Sequence, residues 1–331
     1  MEAGWQLAQE RPNFQSIRVE TDMALEARDI VRGTARQEIP GVKVTERNLE
    51  AIRITHVEIL EEEAERLMGK PRGHYTTLDV PRFKERDPDL KKRLISAIKE
   101  ALVPMLPESL QATVLVVGLG NWNATPDALG PRTVDRILVT RHLGTVVPDA
   151  IRTRMRPVAA VAPGVLGTTG IETVDMIRGV VQEVRPDLIL AVDALAARNL
   201  DRLVGSVQIA DTGIHPGSGV GNRRQGLNQA SLGVPVAAIG VCTVVQSISI
   251  AEEAVHLLAN QLADEVKFYE ILQQMAEPEQ RGLIDEVLGS KLGDLMVTPK
   301  EIDLLIDDMA DVLGEALNQA LQPRLEPSEW A

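Results

Sequence analysis

Two aspartates lie close to the ends of apolar runs of strand length. Asp127 lies in the loop after residues 113–117, and Asp193 directly follows residues 188–192. Two carboxylates at neighbouring strand ends can share a proton and activate water, because burial and mutual repulsion separate their pKa values. They could equally hold a divalent metal ion that activates the water. The alternative for each is a structural role, as the cap of the helix that follows.

A glycine-rich segment, residues 211–222, is the third feature that could take part in binding or catalysis. Its glycines, Gly217 and Gly219 among them, could expose successive backbone N–H groups that bind an oxyanion, a peptide carbonyl or a phosphate. The same composition also favours an ordinary turn. Asp211 opens the segment as a further candidate for substrate binding. His215 could be a third metal ligand or a proton carrier, although a single histidine beside a proline is more often structural.

The loop that carries Asp127 begins like a dinucleotide-binding fingerprint. Gly118 and Gly120 fit that pattern, but Asn123 stands at the third glycine position and a Thr-Pro pair interrupts the turn. This argues against a nicotinamide site, and the sequence has no Gly-Lys-Ser/Thr phosphate-binding loop. We interpret the loop as part of a substrate site, with Asn121 and Asn123 in supporting roles.

The elements around these residues predict an α/β fold with a mostly parallel sheet flanked by helices. Apolar runs that are continuous rather than alternating indicate strands buried on both faces, and segments of helical period separate them. Open sheets of this class place their sites at the carboxyl ends of the strands. The predicted strands are residues 113–117, 158–161, 188–192, 207–210 and 234–241, and the predicted intervening helices include residues 134–139 and 171–184.

The rest of the chain divides around a catalytic core at about residues 110–245. Residues 1–15 are predicted to be a removable arm before a peptidase domain of residues 16–331. A small β-containing elaboration is expected at about 40–80, with strands near 42–44 and 53–60 and a helix over 61–68, and an amphipathic helix at 88–103 leads into the core. Helices are expected over 247–321, with capping boxes at Ser249/Glu252 and Thr298/Glu301.

Composition excludes several classes of protein. The 331 residues hold 35 Lys and Arg against 48 Asp and Glu, a net charge of −13, which argues against a surface that neutralises nucleic-acid phosphates. The single cysteine, Cys242, excludes an internal disulfide and a multi-cysteine zinc site. The first residues lack the apolar run of a signal peptide, and no stretch reaches the ~18 apolar residues of a membrane span. We therefore expect a cytoplasmic protein with no membrane partner.

Longer motifs run through almost the whole chain, at residues 21–27, 118–131, 140–143, 163–170, 193–196 and 211–222. In their order and sequence they resemble the germination protease family of spore-forming bacteria. The resemblance implies an endopeptidase that degrades small acid-soluble spore proteins during germination, inside the spore core. It also implies an inactive precursor that trims its own N-terminus, a homotetramer, and a sheet related to that of the hydrogenase-maturation endopeptidases.

The resemblance assigns the catalytic pair to Asp127 and Asp193, the two carboxylates already selected. It further implies cleavage within a short acidic motif, Thr-Glu-apolar-Ala-Ser-Glu, which residues 21–26 echo. We expect the arm before Ser16 to be removed, with the junction near residues 14–17. No cofactor is required by this interpretation, and two alternatives remain. One is a metal-dependent endopeptidase that uses both aspartates and His215, and the other is a catalytically silent protein that binds a peptide or a phosphate.

Overall fold

One continuous sheet organises the part of the chain that the structure describes. The computed structural model describes residues 21–35, 38–215, 224–251, 253–254 and 295–325. Within them the strand order is β1-β2-β3-β7-β8-β6-β4-β5, and the short β9 also pairs with β8. The strands are β1 (Val42–Leu49), β2 (Ile52–Ile59), β3 (Gly73–Asp79), β4 (Val114–Gly118), β5 (Val158–Val161), β6 (Leu188–Ala197), β7 (Ser206–Ala210), β8 (Val236–Gln246) and β9 (Met296–Val297).

The sheet is mixed, so the α/β class is confirmed but the expectation of a mostly parallel sheet is wrong. Strands β5, β4, β6 and β8 are parallel, whereas β7, β3, β2 and β1 continue from β8 in antiparallel pairings. Only eight residues, 198–205, connect β6 to β7, which is shorter than a parallel crossover needs. The region at 40–80 is therefore an extension of the main sheet, because β3 pairs directly with β7.

Helices cover both faces of the parallel half. Val114 and Val116 of β4 face a cluster that includes the helices at 88–102, 129–134 and 302–321, whereas Leu115 and Val117 face the helices at 173–184 and 229–232. Successive strand residues point to opposite faces, so a strand covered on both faces is apolar throughout. The helices are α1 (Ala24–Ala35), α2 (Glu62–Met68), α3 (Pro88–Leu102), α4 (Leu129–Val134), α5 (Asp149–Arg152), α6 (Leu166–Thr169), α7 (Thr173–Val184), α8 (Gln229–Leu232) and α9 (Ile302–Leu321).

Two local predictions are wrong. The helix expected at 134–139 instead ends at Val134, and its first turn contains Pro131, a position at which the missing proline N–H costs little. The capping box expected before α9 does not form, because the Thr298 hydroxyl donates to the carbonyl oxygen of Thr243 and no side chain caps the helix. Residues 1–15, Glu252 and the whole span 255–294 lie outside the described residues, so the N-terminal arm and most of the helices expected over 247–321 are among them.

No helix in the described ranges combines the length and the apolar character needed to cross a membrane.

Candidate active site

Asp127 is held by a tight loop at the end of β4. The chain turns back so closely after the strand that a Cβ at Gly120, where φ is +116°, would overlap the carbonyl oxygen of Asp127. The loop then closes through the Asn121 N–H, which donates to Oδ2 of Asp127 at 2.7 Å. Ala128 is the N-cap residue of α4 and no side chain caps that helix, so the interpretation of Asp127 as a helix cap is wrong.

Asp193 lies inside β6, which continues beyond the predicted end to Ala197. Its neighbour β4 stops where Gly118 pairs with Val192, so Asp193 is the first residue of β6 beyond that neighbour. On the other side β8 continues to pair with β6, with Gly240 opposite Asp193. Asp193 lines the cleft at this end of the sheet. Its alternative role as a helix cap is wrong, because the residues after it form strand.

The two aspartates line one cleft of about 450 Å³. Asp193 is 5% exposed, and burial raises its pKa well above the usual value, with further increases from the negative charges of Asp127 and Asp22. Burial also raises the pKa of Asp127, but the Asn121 N–H opposes this by stabilising the ionised form. The cleft therefore favours one protonated and one ionised carboxyl group, the arrangement required for paired acid and base chemistry.

Asp22 is a third carboxylate in this cleft that sequence reasoning missed. Its Oδ2 accepts a hydrogen bond from the Ala196 N–H at 2.9 Å, and its backbone oxygen accepts from Lys70 Nζ at 3.0 Å and Gln208 Nε2 at 3.2 Å. These partners come from β6, β7 and the loop after α2. The sequence singled out residues 21–26 only as an echo of the acidic motif, and it could not place Asp22 in the cleft because the three partners named here are more than 40 positions away.

Buried polar contacts fasten the segment that carries Asp22. Glu26 accepts from the backbone N–H groups of Arg198 at 3.0 Å and Asn199 at 3.2 Å, and it also bonds the Thr21 hydroxyl. The Arg202 guanidinium lies 3.5 Å from Glu26 and shares its buried environment. Asp22, which lies among the residues that echo the acidic motif, is therefore a fixed part of the cleft wall.

The other predicted site residues are dispersed. Asn121 lines the cleft, whereas Asn123 is exposed at the loop surface and bonds the Asn121 side chain at 3.0 Å. Asp211 binds the N–H and ring of His74, at 2.8 and 2.7 Å, and faces a different cavity of about 490 Å³. His215 lines a third cavity of about 50 Å³. Gly217 and Gly219 lie outside the described residues.

Neither His215 nor Cys242 lines the cleft that contains Asp127 and Asp193. In the described ranges, no group of three or more His, Cys, Asp or Glu side chains is arranged to hold a metal ion. Cys242 is buried in β8, and burial raises the pKa of its thiol well above the usual value. It behaves as a small apolar side chain.

Comparison with known proteins identifies the family of this chain. A family model described as germination protease matches residues 19–270 and 260–330. The germination protease of Caldanaerobacter subterraneus subsp. tengcongensis is 48% identical over 315 residues, which cover 94% of this chain and 96% of that protein. Those of Clostridium tetani (44% identity, 93% and 97% coverage) and Bacillus cytotoxicus (40%, 93% and 95%) are similar over comparable spans. The chain therefore belongs to the germination protease family, and it is an endopeptidase of spore germination.

Proposed function

We propose that this endopeptidase initiates the breakdown of small acid-soluble spore proteins, using a water molecule held between Asp127 and Asp193. The observation that carries the proposal is the pair itself: two carboxyl groups in one cleft, with the more buried one disposed to keep its proton. The family membership supplies the reaction class, peptide-bond hydrolysis.

The environments of the two groups assign their roles. Asp193, whose pKa is raised the most, is the general acid, and Asp127, whose ionised form the Asn121 N–H stabilises, is the general base. Asp127 takes a proton from water as the water oxygen bonds to the peptide carbonyl carbon. As the C–N bond breaks, Asp193 gives its proton to the leaving amine. Transfer of the proton from Asp127 back to Asp193 restores the starting state.

The same cleft is also suited to removing the N-terminal arm. Position 17 lies five positions before Asp22, and an extended chain spans at most about 3.3–3.6 Å per residue. A junction near residues 14–17 is therefore within about 20–30 Å of Asp22, which itself lines the cleft. We infer that the arm occupies the cleft in the precursor and that the protein cleaves it itself. A mature protein that still began at Met1 or Glu2 would contradict this.

The remaining features of the proposal rest on the family resemblance and on charge. The protein acts as a homotetramer in the spore core, on substrates that are bound to DNA. Its net charge of −13 opposes contact with that DNA, so it recognises only the protein component.

The decisive experiment digests a purified small acid-soluble spore protein with the trimmed enzyme and identifies the products by mass spectrometry. Asp127→Asn, Asp193→Asn and a chelator-treated sample are run beside it. We expect cleavage within the acidic motif, its loss in both variants, and its survival on chelation. Loss on chelation that added metal restores would favour the metal-dependent alternative. Binding without cleavage by folded, trimmed wild type would leave the silent binding protein.

A further inference from the structure

The charges that line the active-site cleft are uneven. Its described lining residues contribute the carboxyl groups of Asp22, Asp127, Glu172 and Asp193, whereas the guanidinium of Arg224 is the one cation among them. Unlike charges attract and like charges repel most strongly where solvent is partly excluded. An acidic peptide that enters this cleft therefore meets repulsion from every charged side chain except Arg224.

Arg224 is held by a contact that a substrate can replace. Its Nη1 lies 3.4 Å from Oε1 of Glu172, and the two side chains are 35% and 39% exposed. Ion pairs with this degree of exposure contribute little to stability, so exchanging one carboxylate for another costs little free energy. The planar guanidinium can bind an incoming carboxylate with two parallel hydrogen bonds, which a 3.4 Å contact does not achieve.

Glu172 is itself well positioned for this role. It directly precedes α7 as the N-cap residue, and the next residue, Thr173, donates to the carbonyl oxygen of Gly164 at 3.3 Å. Gly164 and Thr173 also line the cleft. Glu172 therefore projects from an ordered helix start and keeps Arg224 at the cleft wall when no substrate is bound.

We propose that Arg224 determines specificity by leaving Glu172 and binding a glutamate or aspartate side chain of the peptide near the scissile bond. This inference rests on the proposed function, since it assigns a role within the same cleft. Glu172 occupies the place of the substrate carboxylate in the free enzyme. Arg224 thereby converts a cleft that repels acidic peptides into one that accepts them in a single register.

The test compares two peptides with the trimmed, full-length enzyme. One contains Thr-Glu-Ile-Ala-Ser-Glu, and the other has glutamine at both glutamate positions. We expect the wild type to prefer the acidic peptide by about tenfold or more in kcat/KM, as for a charge-assisted hydrogen bond. Arg224→Gln should reduce that preference to about twofold or less, through a higher KM for the acidic peptide. Arg224→Lys should retain part of it, and Glu172→Gln should lower KM for the acidic peptide.

Arg178→Gln is the matched control, because Arg178 also pairs with a carboxylate, Asp175, on α7 but does not line the cleft. It should keep the wild-type preference. An equal loss of kcat/KM for both peptides in Arg224→Gln, or an unchanged preference for the acidic peptide, would overturn the inference. A wild type that cleaves both peptides equally would overturn it while leaving the proposed function intact. A wild type that cleaves neither peptide nor the spore protein would overturn both.

Discussion

The two halves of the sheet differ in how deeply they are buried, and the proposed catalytic pair lies in the more deeply buried half. In the parallel half, all five residues of β4 are buried beneath helices on both faces. In the antiparallel half, β1 is mostly exposed and β3 is buried only after its first two residues. A carboxyl group within a doubly covered strand is desolvated, as Asp193 of β6 is, whereas Asp211 beside β7 is exposed and bonded to His74.

The antiparallel half contributes by fixing the wall that completes the cleft. Gln208 of β7 accepts from the Ala24 N–H at 2.7 Å and also donates to Asp22. The apolar side chains of α1 pack with Val57 and Ile59 of β2. The parallel half thus supplies Asp193 and Asp127. The antiparallel half helps to position the segment whose Asp22 raises the pKa of Asp193.

Replacing one aspartate in each half tests the difference between the halves most directly. Asp127→Asn should lower kcat by about 10²–10⁴-fold, because a positioned general base contributes that much. Asp211→Asn should change kcat by less than about fivefold, since it removes an exposed contact worth about 1 kcal/mol or less. Steady-state hydrolysis of a peptide with the acidic motif measures both. Similar losses in the two variants would show that the halves share the chemistry.

The stability of the halves should differ in the same direction. Leu190→Ala, at a side chain that is 0% exposed in β6, should lower the free energy of unfolding by about 2–5 kcal/mol. Leu49→Ala, at a side chain that is 38% exposed in β1, should lower it by about 0.5 kcal/mol or less. Urea denaturation at neutral pH makes the comparison. A larger loss at Leu49 would contradict the burial described above.

Asp193→Asn should stabilise the protein while it abolishes activity. The pKa of Asp193 is raised on folding, so folding takes up a proton and stability falls as pH rises from the unfolded value toward the folded one. The amide has no such proton to lose. We expect a gain of about 0.5–2 kcal/mol at pH 8 and none near pH 3. Urea midpoints across pH test this, and a variant that is less stable at pH 8 would contradict it.

The smallest expected effect concerns Asp22. If Asp193 is the acid, activity falls as pH rises through its raised pKa, and Asp22→Asn removes one of the charges that raises it. The alkaline limb of the kcat profile should therefore move to lower pH by about half a unit to one unit. Asn can still accept the Ala196 hydrogen bond, and Asp127, Glu172 and Arg224 remain in the cleft. An unmoved limb would show that Asp22 acts only as a wall.

Much of the sheet, and one of the helices that cover it, can be predicted from local pattern. The apolar runs at 158–161 and 207–210 fall on β5 and β7, and the helical period at 171–184 falls on α7. The orientation of β7 cannot be read this way, because an apolar run of four residues looks the same in either direction. The extension of β6 through Ala194–Ala197 was also hidden, since alanine favours helix and the strand is maintained by pairing with β8.

Periodicity and residue type along short stretches are enough to predict the α/β class and to single out Asp127 and Asp193. Which groups surround the two aspartates depends on contacts between distant parts of the chain. Asp22 lines the cleft because its partners lie in β6, β7 and the loop after α2. Asp211 and His215 line other cavities, although both lie in the glycine-rich segment at 211–222. Burial and charge act through space, so the pKa of Asp193 depends on residues that are distant along the chain.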